Sequence, residues 1–212
     1  MSKVPAPTPS SLADLAEMSP PTKDPAPAVL GRAFPPRERE ARLAELLRVH
    51  FRLVWRALRR LGVPEHAVDD AAQEVFIVAA KKLATITPAY ERRFLYGVAL
   101  RVAANARRAR AARPEKAETA ELEETASAVP SPEVLLDRKR ERELLDATLE
   151  AMPDDLRTAF VLFELEGCSA PEVAALLGIP IGTATSRLRR AREAFRAAVS
   201  TLRRRLENGD ER

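Results

Sequence analysis

The sequence predicts an all-α protein: two small helical domains joined by a flexible acidic linker and ending in a helix-turn-helix. Three observations carry this reading. Only 7 of 212 residues are glycine while alanine is abundant, a balance that favours helix. Apolar residues recur at three- and four-residue steps through several long stretches, the pattern of helices with one buried face. Between two such regions, residues 114–133 lose this periodicity, fill with glutamate and end in Pro130-Ser131-Pro132, as an extended tether does.

Residues 1–36 hold nine of the 17 prolines, a composition that cannot bury enough surface to order itself, so a disordered tail is expected. The first domain is placed at 37–113. Its opening helix, about Pro36–Leu61, lines up Leu43, Leu46, Leu47, His50, Val54, Leu58 and Leu61, and Gly62 stops it. Phe51 and Trp55 flank that stripe and are expected in the core. A second helix, about Glu65–Leu83, turns Val68, Ala72, Val75, Phe76 and Ala79 inward. Asp69 and Asp70 sit in its first turn, where the helix dipole favours anions. A third helix, about Ala89–Arg110, packs through Phe94, Leu95, Val98, Val102 and Ala106, while Arg101, Arg107, Arg108 and Arg110 crowd its later turns. The second domain, 134–206, opens with a helix to Met152, is broken by Pro153 and resumes over about Asp154–Leu165. Residues 207–212 are a short tail.

The strongest functional signal follows. Ser169 is a good N-cap, Pro171 suits a first helical turn, and Val173, Leu176 and Leu177 give a short helix one apolar face, which Gly178 ends. A second helix begins near Ile181 or Gly182. At about 100° per residue, Ala184, Leu188, Ala191 and Phe195 share one narrow arc, which must be buried. Thr183, Ser186, Arg189 and Arg190 then face away, with Arg187 and Arg192 on the flanks. Hydroxyls and guanidinium groups on a protruding helix match the edges of bases in the major groove, and the flanking arginines suit phosphates. The bland alternative is a solvated basic face on an ordinary amphipathic helix.

Charge is unevenly distributed. Residues 37–113 carry 17 Lys and Arg against 8 Asp and Glu, whereas residues 114–136 carry 1 against 6. A basic block of this kind attracts polyanions, and nucleic acid fits a helical chain without a lipid-insertion pattern. No apolar run approaches the roughly 20 residues that span a bilayer, and prolines interrupt the N-terminus where a signal peptide would be apolar. No direct membrane insertion and a cytoplasmic location are expected. Cys168 is the single cysteine, so an intrachain disulfide is excluded and a structural role expected. No catalytic residues, metal site or cofactor are expected: His50 and His66 are far apart, and no Gly-rich phosphate loop or nucleophile elbow is present.

Several segments resemble the extracytoplasmic-function (ECF, group 4) sigma factors of the sigma-70 family. Val68-Asp-Asp-Ala-Ala-Gln-Glu-Val-Phe76 is similar to the family's second conserved helix, and Phe94-Leu-Tyr-Gly-Val-Ala99 to its Trp-Leu-Tyr-Arg-Ile-Ala segment. Met152-Pro153, Leu156-Arg157-Thr-Ala-Phe160, Glu166-Gly167, Glu172-Val-Ala174 and above all Gly182-Thr-Ala-Thr-Ser-Arg187-Leu-x-Arg190-Ala-Arg192 resemble its C-terminal domain. The resemblance covers about residues 40–112 and 134–200. It implies that 37–113 is sigma region 2 and 134–206 is region 4, and that the chain directs core RNA polymerase to promoter DNA. Asp70, Gln73 and Glu74 would dock on the clamp helices of the β′ subunit. Phe94, Arg101, Asn105, Arg107 and Arg108 would recognise and open the minus-ten element. Thr183, Thr185, Ser186, Arg187, Arg189, Arg190 and Arg192 would read the minus-thirty-five element. The acidic linker would occupy a channel built for RNA, and an anti-sigma factor is admitted as a further partner.

This chain departs from the family pattern in three places, with Phe94 for the usual Trp, Arg101 for Asn and Asn105 for Asp. A stand-alone helix-turn-helix regulator is the alternative reading. It accounts for the C-terminal basic helix but leaves Asp69–Phe76 and the basic third helix without a role.

Overall fold

The computed structural model describes residues 35–112 and 132–209, and every regular element among them is helical. The expected tail over 1–36 and linker over 114–133 lie almost wholly outside those residues.

Helix α1 (Pro36–Arg60) starts at a proline whose missing N–H has no intrahelical partner to lose, and it buries Leu46, Val54, Ala57 and Leu58. It ends where the Leu61 N–H reaches Ala57 O at 2.9 Å and Gly62 takes φ +90°, a conformation open to glycine. Helix α2 (Glu65–Lys82) follows, then two short 3₁₀ turns, Leu83–Thr85 and Pro88–Tyr90, and helix α3 (Glu91–Ala112). Each of these three helices packs on the other two. Alanines 71, 72, 79, 99 and 103, all buried, let the axes approach closely around Val54, Val68, Val75 and Leu95, which are fully covered. Burying a side chain of that size contributes about 1.5–3 kcal/mol. Phe51 does not join this core. It remains 41% exposed at the rim and stacks on Phe76 at 6.1 Å, because it lies between the apolar stripe and solvent.

The second half consists of α4 (Pro132–Glu150), α5 (Asp154–Phe160), α6 (Ala170–Leu177) and α7 (Ile181–Gly209). The sequence suggests one continuous helix over Asp154–Leu165; instead α5 stops at Phe160 and Val161–Leu165 widens into a π turn. Glu166 N–H bonds to Val161 O at 2.9 Å and Cys168 N–H to Leu162 O at 2.8 Å. That extra residue per turn points Glu166 inward, where it is 2% exposed. Helix α7 runs three residues past the expected end and packs on α4, α5 and α6.

The two halves pack against each other. One apolar cluster runs from Leu46 and Val54 through Leu61 and Val63 to Leu149, Met152 and Phe160. A second joins Ala57 and Tyr96 to Leu162, Cys168 and Val173.

Candidate nucleic-acid and polymerase interface

The C-terminal turn is built as its sequence dictates. Ser169 caps α6 in a full capping box: its N–H donates to Glu172 Oε2 at 2.7 Å, and Glu172 N–H donates back to Ser169 Oγ at 3.4 Å. The hydrogen bonds from Ser169 hold the Glu172 carboxyl below the usual carboxylate range. The pairing is legible in Ser169-Ala-Pro-Glu172 as a serine with glutamate three residues on. Gly178 then adopts φ +64°, and Ile179 N–H closes on Ala174 O at 3.0 Å. Helix α7 buries Ala184, Leu188 and Ala191. The Phe195 ring stacks on Phe160 at 4.3 Å, fixing the rotation of α7 about its axis.

With that face fixed, Thr183, Thr185, Ser186, Arg189, Arg190 and Arg192 are exposed. Thr185 and Ser186 donate to their own helix backbone, to Ile181 O and Thr183 O, each at 3.0 Å, leaving hydroxyl lone pairs outward as acceptors. Arg189 pairs with Glu193 at 2.8 Å, while Arg190 has no hydrogen-bond or ion-pair partner among the described residues. The flanking arginines are held elsewhere. Arg192 reaches Glu164 at 2.6 Å and lies over the Phe163 ring. Arg187, 19% exposed, is drawn against α5 with Asp155 at 3.7 Å.

On α3, Phe94, Arg101, Asn105 and Arg108 fall within one narrow arc, and Arg107 points to the far side. Phe94 is half-buried against the core. Arg101 is half-buried too, and loss of solvent lowers the pKa of its guanidinium. Asn105 accepts from Arg108, which is exposed. Arg107 instead donates to Leu61 O and pairs with Asp154 of α5 at 3.2 Å. On α2, Asp70 and Gln73 are exposed. Glu74 is half-buried, and burial pulls its carboxyl above the usual range. Trp55 Nε1 donates to Asp69 at 2.9 Å, so Asp69 serves the fold while Asp70 is left to solvent.

Sequence reasoning missed Glu166 and Tyr96. Tyr96 OH donates to Glu166 Oε2 at 2.7 Å, and Arg60 Nη1 donates to Oε1 at 2.8 Å. Glu166-Gly167 carries the family resemblance, but periodicity gives no sign that a glutamate in a solvated-looking Glu-Leu-Glu run is buried, because a π turn aims it inward. Among the described residues no group of three His, Cys, Asp or Glu could hold a metal ion, and no helix is long and apolar enough to cross a membrane.

Known proteins resemble this chain in sequence and in fold. The family described as Sigma-70, region 4 matches residues 142–195, which span α5, α6 and the exposed face of α7. The ECF RNA polymerase sigma-E factor of Escherichia coli is 36% identical over 153 residues, covering 68% of this chain and 79% of that protein. The ECF RNA polymerase sigma factor SigE of Mycolicibacterium smegmatis is 29% identical over 152 residues, and the matched region spans 59% of its length. Among solved structures, CnrH in complex with the cytosolic domain of CnrY matches at TM-score 0.54 and 27% identity over 75% of this chain and 88% of that one. The sigma factor RpoE of Bartonella quintana, solved with the anti-sigma factor NepR, shares the fold at TM-score 0.54 and 16% identity. With a relative more than one-third identical across nearly four-fifths of its length, the chain belongs to the ECF sigma factors of RNA polymerase.

Proposed function

We propose that this chain, a group 4 sigma factor, binds core RNA polymerase and brings it to promoters through two DNA-facing helices, performing no chemistry itself. The observation that carries the proposal is the outward face of α7: Thr183, Thr185, Ser186, Arg189 and Arg190 exposed over a fully packed inner face. Guanidinium groups there can bridge the O6 and N7 acceptors of guanine, and the hydroxyls accept from base edges. In this reading α7 takes the minus-thirty-five element, with Arg192 and Arg187 swinging from Glu164 and Asp155 to phosphates. The α3 stripe of Phe94, Arg101, Asn105 and Arg108 takes the minus-ten element, with Arg107 joining it once freed from Asp154. Asp70 and Gln73, with the rim of Glu74, meet the β′ clamp helices. Residues 37–113 then act as region 2, 134–206 as region 4, and 114–133 as the tether, which makes the second DNA contact intramolecular. The protein works in the cytoplasm, where its polymerase and DNA are. CnrH and RpoE were solved with protein partners, and an anti-sigma factor is proposed for this chain as well.

The test is binding to core RNA polymerase followed by promoter selection. Stoichiometric retention on core polymerase is expected, which a stand-alone regulator would not show. Arg189→Ala or Arg190→Ala should cost about 1–3 kcal/mol at one base position of the upstream element, with Arg203→Ala as the control. If base substitutions penalise mutant and wild type alike, these arginines touch phosphate only.

A further inference from the structure

We propose that Ile181, the first residue of α7, reads the C5-methyl group of a thymine in the upstream promoter element; the inference rests on the reading of α7 as the helix that enters the major groove. Ile181 is 51% exposed and belongs to neither apolar cluster of the fold. The turn that leads into α7 closes without its side chain: Ile179 N–H bonds to Ala174 O and Ala184 N–H to Pro180 O, each at 3.0 Å. A β-branched residue there is a poorer helix former than alanine, and its apolar surface stays in water. The described fold therefore gains nothing from an isoleucine at this position.

What an apolar side chain can do at the start of such a helix is narrow. The N-terminal residues of a recognition helix meet base edges in the major groove. Isoleucine offers neither donor nor acceptor, and the one apolar group presented there by the four base pairs is the thymine methyl. The surroundings leave room for it. Gly182, the next residue, has open space where a Cβ would go, so no protein atom crowds the approach of a base pair. Thr185, one turn on, donates its hydroxyl proton to Ile181 O at 3.0 Å and so does not compete as a donor for the same edge. Arg189 lies two turns along, about 12 Å from Ile181 at 1.5 Å per residue. That is about three to four base pairs, which separates the thymine from the guanine that Arg189 can bridge.

The experiment uses the full chain reconstituted with core RNA polymerase, and a duplex recovered by selection from a randomised upstream element. Each thymine of that element is replaced in turn by deoxyuridine, which removes the methyl group and keeps every hydrogen-bonding atom. Wild type should lose roughly 3- to 10-fold in affinity at one such position, the effect of burying one methyl group. Ile181→Ala should bind the thymine and deoxyuridine duplexes equally at that position and discriminate as before at the others. Ile181→Val, which should keep part of the penalty, and Ile181→Asn, which should keep none, cover the case that alanine disturbs the start of α7. A penalty of equal size in wild type and Ile181→Ala overturns the proposal, as does a wild type indifferent to every replacement or a selected element without thymine. Arg189→Ala, measured on guanine substitutions in the same duplex, separates the two levels of the argument. If it loses base discrimination while Ile181→Ala behaves as wild type, only the role of Ile181 falls; if neither variant changes discrimination at any base, the assignment of α7 to the groove falls as well.

Discussion

Two glycines with positive φ differ in what surrounds them, and substituting each by alanine measures how tightly the halves interlock. Gly178 at φ +64° has open space where a Cβ would go. Gly178→Ala therefore costs only the left-handed conformation, about 1–2 kcal/mol. Gly62 at φ +90° carries the same kind of strain, but a Cβ there would lie 2.1 Å from Arg157 Nη1 and 3.3 Å from Arg107 Cδ. Arg157 is 7% exposed, donates to Glu150 O at 3.0 Å and must move. Displacing a buried charged donor from its acceptor adds about 1.5–3 kcal/mol, so Gly62→Ala should cost about 3–5 kcal/mol. At about 2–4 °C per kcal/mol for a chain of this size, its Tm should fall by roughly 10 °C, against roughly 4 °C for Gly178→Ala. Thermal unfolding followed by circular dichroism on the two full-length variants measures both. Equal losses would mean that Arg157 does not lie across Gly62, and the docked arrangement of the halves would lose its support.

Ser169→Ala removes the capping box of α6 and should cost about 1 kcal/mol at neutral pH. Because Glu172 titrates below its ordinary value in the fold, its contribution is present above that ordinary value and is lost as pH falls through the lowered one. Denaturation curves of mutant and wild type should therefore converge in acid; a constant gap across pH would assign the loss to the serine alone. Burial raises the Glu74 pKa, so its charge is a penalty at neutral pH that disappears on acidification. Glu74→Gln should accordingly raise Tm while weakening core-polymerase binding, and a variant that is more stable and binds equally well removes Glu74 from the docking surface. Asp70→Ala with Gln73→Ala, both exposed, should weaken the same binding with helicity unchanged, as equilibrium binding to core polymerase will show.

Local chemistry and periodicity are enough to set the elements and most of their inward faces. Pro36, Gly62, Ser169 and Gly178 mark helix ends through local backbone chemistry that no distant residue alters, and the three- and four-residue apolar steps assign Val68, Val75, Leu95, Ala184 and Leu188 to the core. The same periodicity put Arg189, Arg190 and the hydroxyls of α7 outside, because a helix with one face buried leaves only one face free. How the halves meet depends on contacts between residues far apart in the chain. Glu166 looks like any surface glutamate until the π turn at Val161–Leu165 adds a residue to its helix and swings it under Tyr96 and Arg60. Arg107 and Arg108 are neighbours in one basic run, yet one is spent on Asp154 and the other faces solvent. Composition counts both as positive charge. The partner of a long charged side chain is set by what comes near it across 47 residues of chain, and local sequence holds no record of that distance.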